Sequence, residues 1–546
     1  MLRNLAILSV TSVLAWGQQA PPRVGVGVLQ QKLALREAIE MALKSNLEIE
    51  IERSNISSSA QAIKAAQGAF DPIFRWLPGL DSRNTPVASV LQGAGGKLAE
   101  HLLAQNFSLS GKLPSTGTTL VAGFDNGRTS TSNAFASLNP IMSSRLAFGF
   151  TQPLLRNRVI DRDRAELKIR RKQLNLSETD FELRTIDVIS RVEQAYWDLV
   201  GARQDVDVKA DGVQWAREQL ARNRRMIDSG TLAPVELSAS EAELQRRLDA
   251  WYASIGLVTE IENLLKTLLA PDRQSPLWVE AIIPAEEHTR DAPVMVDLRE
   301  AVPQAIKDRA ELRGLALRRD VNDVQKALNA DLTKPQVNLS ASYANAGIGG
   351  TLSSADNPIT ASQALTGQRL NQLSALAGLA PLPTTSFGAL PGVLIGGYGT
   401  ALSNVFSGRY QSVQVGLAFD LNLRNRTAEA TLAQSVIAER RLKLEQARAE
   451  LLIEAQVRNA VQAIETARQR IAAAQASERA AKEKVDSETR LFQTGESTNF
   501  LVLTRQNEYL DSRRRVVVAN LDLNKAVSRL EQALGTTLRS HNIALK

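Results

Sequence analysis

The segment Leu-Arg-Glu-Ala-Ile at residues 35–39 recurs as Leu-Arg-Glu-Ala-Val at residues 298–302, 263 positions later. Another segment, Leu-Arg-Asn-Arg, occurs at 155–158 and again at 423–426. Further along, apolar residues recur at an offset of 265 positions: Val192, Tyr196, Leu199 and Val206 correspond to Val457, Val461, Ile464 and Ile471. An ordered run of matches with nearly constant offset indicates a repeated structural unit. The chain is therefore predicted to be a tandem duplication.

Each half contains a very long helical segment. Residues 161–228 contain no proline and only two glycines, and residues 427–494 contain neither. About 68 helical residues would extend roughly 100 Å. The matched apolar positions keep the spacing of a coiled-coil seam. Turns at 229–233 and 494–498 precede a second helical segment, so each half is predicted to end in a long helical hairpin.

A shorter helix and two strands are predicted to precede each hairpin. The helices cover about 33–67 and 297–331. The strands lie within about 104–151 in the first half, and at about 336–345 and 411–423 in the second. Residues 412–423 alternate apolar and polar side chains without a break. This is the length of a tilted membrane strand, and a half-buried strand of a soluble sandwich is the alternative. The neighbouring long helices favour the membrane strand.

These elements divide the chain into four predicted segments. Residues 1–17 have the basic start, apolar run and small residues of a signal peptide. Residues 18–270 form the first repeat, the proline-rich residues 271–295 a connector, and residues 296–546 the second repeat. Stretches rich in glycine, serine and proline, at 345–410, 76–103 and 125–144, are predicted to be long loops that face outward.

The composition excludes several classes of site. The chain has 546 residues, no cysteine, three scattered histidines and a net charge of +7. It therefore has no disulfide framework, thiolate metal site or cysteine nucleophile. No motif for a serine nucleophile, a zinc protease or a phosphate-binding loop is present. We expect no enzyme activity, no catalytic residue, no cofactor, no bound metal and no nucleic-acid partner.

The ordered pattern resembles the TolC-like outer-membrane efflux proteins over nearly the whole chain. The residues that carry the resemblance are the duplicated openings, the segment Ala-Tyr-Trp-Asp-Leu at 195–199 and the two hairpin turns. The resemblance implies a homotrimer in which four strands per chain build a twelve-stranded barrel in outer-membrane lipid. It also implies a periplasmic helical tunnel that docks on an adaptor protein and an inner-membrane pump, as an efflux or type I secretion duct.

The resemblance also suggests two sets of site residues. The periplasmic aperture would be formed by Glu236, Leu501, Thr504 and Arg505. The adaptor would contact the hairpin turns, at Gly230, Thr231, Leu232, Gly495, Glu496 and Ser497. The other interpretation of Glu236 is an acidic residue in the first turn of a helix, favoured by the helix dipole. The other interpretation of the whole chain is a periplasmic coiled-coil adaptor or scaffold without a pore.

Overall fold

The computed structural model describes residues 23–25, 27, 29–88, 96–286, 296–353, 358–383 and 390–545. The predicted signal peptide, the end of the predicted connector and parts of the predicted loops lie outside the described residues. The chain divides into two compact units. The helical unit comprises residues 1–57, 176–316 and 444–546, and the sheet unit comprises residues 58–175 and 317–443.

Two helical hairpins supply most of the helical unit. The first consists of α3 (Arg162–Asp228) and α4 (Val235–Leu269), and the second of α9 (Arg426–Thr494) and α10 (Asn499–Leu534). Both α3 and α9 begin in the sheet unit and end in the helical unit. A short helix, α11 (Thr537–Ser540), follows the second hairpin.

The predicted opening helix of each half is two helices. In the first half, α1 (Leu35–Ser45) is followed by α2 (Leu47–Gln67), and in the second α5 (Leu298–Asp308) is followed by α6 (Ala310–Leu332). The breaks fall at Asn46 and Arg309, both with extended backbone and 263 positions apart. Asn46 Oδ1 accepts a hydrogen bond from Glu48 N at 2.9 Å and so caps α2. The prediction of one continuous helix at the start of each half is therefore wrong, because both helices are interrupted, 263 positions apart.

Apolar side chains at the predicted seams are buried in the helical unit. One core surrounds α3, with Ile189, Val192, Tyr196 and Leu199 fully buried, and a second surrounds Val457 and Ile464 of α9. A short parallel pair, β1 (Gln30–Leu33) with β6 (Ala281–Pro284), lies beside the first core. The segment predicted to be a plain connector therefore contributes a strand.

The sheet unit is built on one antiparallel sheet of six strands, in the order β2-β3-β4-β5-β7-β8. Their bounds are β2 (Ile73–Pro86), β3 (Lys97–Lys112), β4 (Thr119–Thr131), β5 (Leu138–Pro153), β7 (Gln336–Leu352) and β8 (Gln411–Asp420). Four strands were predicted. The extra hairpin, β2–β3, lies mostly in residues 76–103, which were predicted to be a loop, and Pro78 and Gly79 interrupt its alternation, a pattern that argues against a strand in sequence. The other predicted loop of this half, 125–144, is also wrong for the most part, because β4 and β5 extend into it.

The segment 345–410 is also more ordered than predicted. It contains the outer part of β7, α7 (Pro358–Leu376) and α8 (Tyr398–Phe406). Helix α8 packs on β7 because Gly347 has no side chain: a Cβ there would lie 2.7 Å from the backbone nitrogen of Val405. The Asn404 side chain, buried in this contact, donates hydrogen bonds to the Ile348 and Val393 carbonyls at 2.9 and 2.8 Å. Gly347 and Gly349, which were predicted to belong to a long outward-facing loop, instead form a surface on which α8 packs.

Among the described helices, none combines the length and the apolar character needed to cross a membrane.

Candidate functional site

One face of the six-stranded sheet is apolar and open to solvent. Its residues align across the strands in register, as in the row Val413, Tyr343, Phe148, Ala122, Leu109 and Phe74. Most large side chains of this face are exposed, among them Phe74, Trp76, Leu120, Phe148, Phe150, Val413, Val415, Leu417 and Phe419. An apolar surface of this extent marks contact with lipid or with another protein.

The opposite face of the same sheet is polar. The strand residues between the apolar ones point there, because side chains alternate along a strand. They include Arg75, Asp81, Glu100, Asn106, Ser108, Asp125, Arg145, Ser340, Ser342 and Gln414. One apolar and one polar face, on strands of 10 to 17 residues, match the alternation of a membrane strand rather than of a buried sheet.

The two hairpin turns in the helical unit have the same geometry. Gly230 and Gly495 adopt left-handed backbone, with φ of +73° and +80°. The next residue of each turn, Thr231 or Glu496, donates its N–H to a carbonyl five residues earlier, at 2.8 and 2.9 Å. This is a common helix ending that favours glycine. Gly230, Thr231, Gly495 and Glu496 are exposed, whereas Leu232 and Ser497 are half-buried. Ser497 Oγ donates to Glu488, which ties that turn to α9.

A buried polar cluster connects the two hairpins near these turns. Asn499, the first residue of α10, accepts hydrogen bonds at Oδ1 from Gln219 and Asn223 of α3, both at 3.0 Å. Its Nδ2 donates to Glu236 Oε2 of α4 at 3.0 Å and to Ser240 Oγ at 3.3 Å. Gln219, Asn223, Ser240 and Asn499 are all buried. We call these four residues and Glu236 the hairpin-end cluster.

The predicted aperture residues separate into two groups. Glu236 belongs to the hairpin-end cluster and contacts the other hairpin through Asn499. Arg505 instead bonds within its own hairpin, to Glu508 at 2.8 Å and more distantly to Glu488. Thr504 Oγ1 donates to the Phe500 carbonyl at 2.8 Å, and Leu501 is exposed. Among the described contacts of one chain, therefore, Glu236 forms no hydrogen bond with Leu501, Thr504 or Arg505.

A second inter-hairpin contact lies farther along the helices. Arg247 of α4 is buried and donates to the Gly212 carbonyl of α3 at 2.9 Å. It also donates to Asn507 Oδ1 of α10 at 3.1 Å and to Gln506 Oε1 at 3.3 Å. Burial lowers the pKa of Arg247 from the ordinary arginine value, while Glu243 opposes this shift. Three helices are thus joined by one guanidinium group.

The sequence itself matches no family profile and no curated protein. The fold does match solved structures. The outer membrane protein VceC from Vibrio cholerae is similar with a TM-score of 0.60 and 14% identity, over 92% of this chain and 96% of VceC. The Campylobacter jejuni CmeC outer membrane channel is similar with a TM-score of 0.61 and 12% identity, over 98% and 94% of the two chains. The open-state Neisseria gonorrhoeae MtrE outer membrane channel gives a TM-score of 0.56 and 13% identity, over 96% and 98%.

The chain has the TolC-like fold. The resemblance predicted from the sequence is therefore confirmed at the level of the fold. The prediction of a helix-rich chain with a sheet is confirmed with it, whereas the four barrel strands predicted per chain are corrected to the six strands of the antiparallel sheet seen in the described residues.

Within this TolC-like fold, two exposed apolar residues at the hairpin ends were not among the predicted site residues. Val235 and Phe500 are each 72% exposed and lie 265 residues apart, which is the offset of the predicted repeat. The signal that could have identified them is the repeat itself, because an apolar residue at the same exposed position in both halves is unusual for solvated helix ends. They extend the apolar surface available beside the turns.

Tyr196, one of the residues that carried the resemblance, belongs to the core of the helical unit. Tyr196 is fully buried, and its hydroxyl donates to Glu286 and contacts the Leu33 carbonyl at 3.0 Å. Burial raises the pKa of this hydroxyl, and the Glu286 hydrogen bond adds to the effect. Tyr196 thereby fixes the β1–β6 pair to the core.

One cluster of possible metal ligands occurs in the part of the chain that the structure describes: Glu193, Glu531 and His541. Histidine spacing gave no sign of it because the three residues come together only in the folded chain. Glu193 accepts a hydrogen bond from Ser528 Oγ and contacts His541 Nε2 at 2.9 Å. These contacts join the C-terminal segment to α3.

Proposed function

We propose that this protein is an outer-membrane channel that conducts solutes out of the periplasm. In this proposal three copies assemble, their sheets span the outer membrane, and their helical units form the periplasmic conduit. An adaptor and an inner-membrane pump supply opening and energy, as in an efflux or type I secretion system. The two-faced sheet is the observation that carries the proposal.

The sheet supports a membrane position for a physical reason. Exposure of its apolar side chains to water costs free energy, whereas contact with lipid acyl chains does not. Its polar face would then line an aqueous interior. Because lipid cannot hydrogen bond to open strand edges, the edge strands must pair with those of other copies. This favours an oligomeric pore over a monomeric scaffold.

The hairpin ends support a periplasmic mouth. The predicted docking residues Gly230, Thr231, Gly495 and Glu496 are exposed on two turns of the same shape, beside Val235 and Phe500. Such paired, similar ends suit a partner that contacts both repeats. Leu232 and Ser497 would support the turns from behind.

The hairpin-end cluster suggests how the mouth is held closed. Glu236 and Asn499 join one hairpin to the other inside each chain. Opening by separation of the hairpins would have to break this buried cluster, as a two-state change of packed elements requires. In this proposal Leu501, Thr504 and Arg505 face the aperture, and Glu236 acts through the cluster.

The test is to purify the protein from outer membranes and to measure its conductance in planar lipid bilayers. We expect a trimer that dissociates on heating and forms ion-conducting pores. A monomer in the soluble periplasmic fraction, without pore activity, would exclude the channel and favour the coiled-coil scaffold.

A further inference from the structure

The six-stranded sheet ends in two open edges. Every residue of β2 is exposed, and so are all but one of the ten residues of β8. All five pairings between neighbouring strands are antiparallel, so β2 and β8 run in opposite directions. A β8 strand could therefore pair with the β2 strand of another copy and continue the antiparallel order.

The extra hairpin is an integral part of the sheet. β2 pairs with β3 over its full length, from Ile73 opposite Ser110 to Pro86 opposite Lys97. Phe74 and Trp76 stack on Phe107 with ring centroids 6.3 and 6.4 Å apart. The apolar face therefore continues to the β2 edge, and all six strands share it.

The backbone groups at the two edges are complementary. Val87 N–H donates to Gly96 O at 2.9 Å, so by alternation the even residues of β2 direct their backbone groups to the open edge. Ala346 N–H donates to Tyr410 O at 3.0 Å, so the odd residues of β8 direct theirs to the opposite open edge. The side chains of these same residues form the apolar face. Two residues that pair in an antiparallel ladder must direct their backbone groups toward each other and their side chains to the same face, and these two sets of residues can do both.

We propose that β8 of each chain pairs with β2 of the next, so that three chains close an eighteen-stranded barrel. This rests on the proposed trimeric channel and replaces the twelve strands that the resemblance implies. Because barrel diameter grows roughly linearly with strand number, the barrel would be about 1.5-fold wider than a twelve-stranded one.

The position of the apolar residues along β8 and β2 defines the register between these two strands. Val413 of β8 aligns through the intervening strands with Phe74, the first apolar residue of this face in β2. From that row, the apolar stretch of β8 runs toward one end of the sheet, to Phe419. The apolar stretch of β2 runs toward the other end, to Leu80. Placing the two stretches at one membrane depth pairs Phe419 with Phe74 and Val413 with Leu80. The ladder lacks one donor, because Pro78 has no N–H to offer the Val415 carbonyl opposite it.

A disulfide between chains tests this register. The same alignment places Ser412 opposite Asp81 on the polar face, as a non-hydrogen-bonded pair with Cα atoms about 4.5 Å apart. That separation lies in the disulfide range. The native chain has no cysteine, so the double variant Ser412→Cys/Asp81→Cys should form covalent dimers and trimers after oxidation. These species should survive heating and disappear on reduction.

Two control sets make the result decisive. Ser412→Cys with Ser82→Cys should not crosslink, because Ser82 points to the other face. If only four strands per chain entered the barrel, β8 would meet β4, and Ser412→Cys would crosslink instead to cysteine at Asp125, Gly127 or Thr129. That outcome, or a conducting trimer with no crosslink to Asp81→Cys, would overturn the eighteen-stranded barrel and leave the channel intact. A monomer without conductance would overturn the channel itself.

Discussion

Replacing Asn499 by alanine should release the two hairpins from each other near their turns. The side chain makes four hydrogen bonds, to Gln219, Asn223, Glu236 and Ser240, at 3.0 to 3.3 Å. Alanine removes all four without changing the helix propensity unfavourably. The main loss is therefore the contact between hairpins.

The structure sets the size of the effect. Each hydrogen bond contributes about 0.5–1 kcal/mol net, toward the low end of the usual range because Gln219 and Asn223 keep other partners. Four such bonds amount to about 2–4 kcal/mol. If opening breaks the cluster, the closed state loses this stabilisation, and the open-to-closed ratio rises by roughly 30- to 1000-fold.

Single-channel recording in planar bilayers measures this ratio directly. Asn499→Ala should raise the open-to-closed ratio at least about 30-fold, the change produced by about 2 kcal/mol. Thr498→Ala is the matched control: its hydroxyl caps α10 through Leu501 N at 3.4 Å but joins no second hairpin. Equal open probabilities for the two variants would refute the idea that the hairpin-end cluster holds the mouth closed.

Two further predictions concern stability of the full-length protein. Gly201→Ala should lower the Tm of the helical circular dichroism signal, because its Cβ would lie 2.8 Å from Leu521 Cγ and still nearer a Leu521 methyl. Overpacking, which costs about 1–3 kcal/mol, then exceeds the gain of about 1 kcal/mol in helix propensity. The control is Gly256→Ala, whose added Cβ has nothing within 4 Å, so this variant should have a higher Tm. A similar Tm shift in both variants would contradict the packing argument. Glu48→Gln should cost about 0.5 kcal/mol at pH 7, because Glu48 bonds a half-exposed arginine, Arg191, that lowers its pKa. The stabilisation is present above the ordinary carboxyl pKa and is lost as pH falls through the lowered one, so urea unfolding should separate the variants at pH 7 and not at strongly acidic pH.

Local patterns account for what could be predicted. The long helices follow from about 68 residues without proline, and β8 follows from strict alternation, because periods of 3.6 and 2 residues are local properties of the backbone. The predicted duplication also located both hairpin turns. The break at Asn46 was missed because an asparagine inside a helical pattern is tolerated unless a partner such as the Leu268 carbonyl orients it.

The β2 strand shows where local patterns mislead. Pro78 and Gly79 weaken its alternation, yet Phe74 and Trp76 gain a partner in Phe107 only when the hairpin forms. Likewise, Gly347 resembles a loop residue in sequence and becomes a packing site when α8 approaches. In both cases the local structure depends on a contact with another element, which is β3 for the first and α8 for the second. Packing across strands, or of a helix on a strand, thus overrides the local propensity.

The sequence by itself predicted a duplicated chain of long helical hairpins and alternating strands, and those features were sufficient to indicate the TolC-like fold. Only the tertiary structure decided that six strands share one apolar face and that Asn499 meets Gln219, 280 positions away. The physical reason is that repeats and periodicity are written along the chain. Hydrogen-bond partners and sheet edges exist only after distant segments have come together.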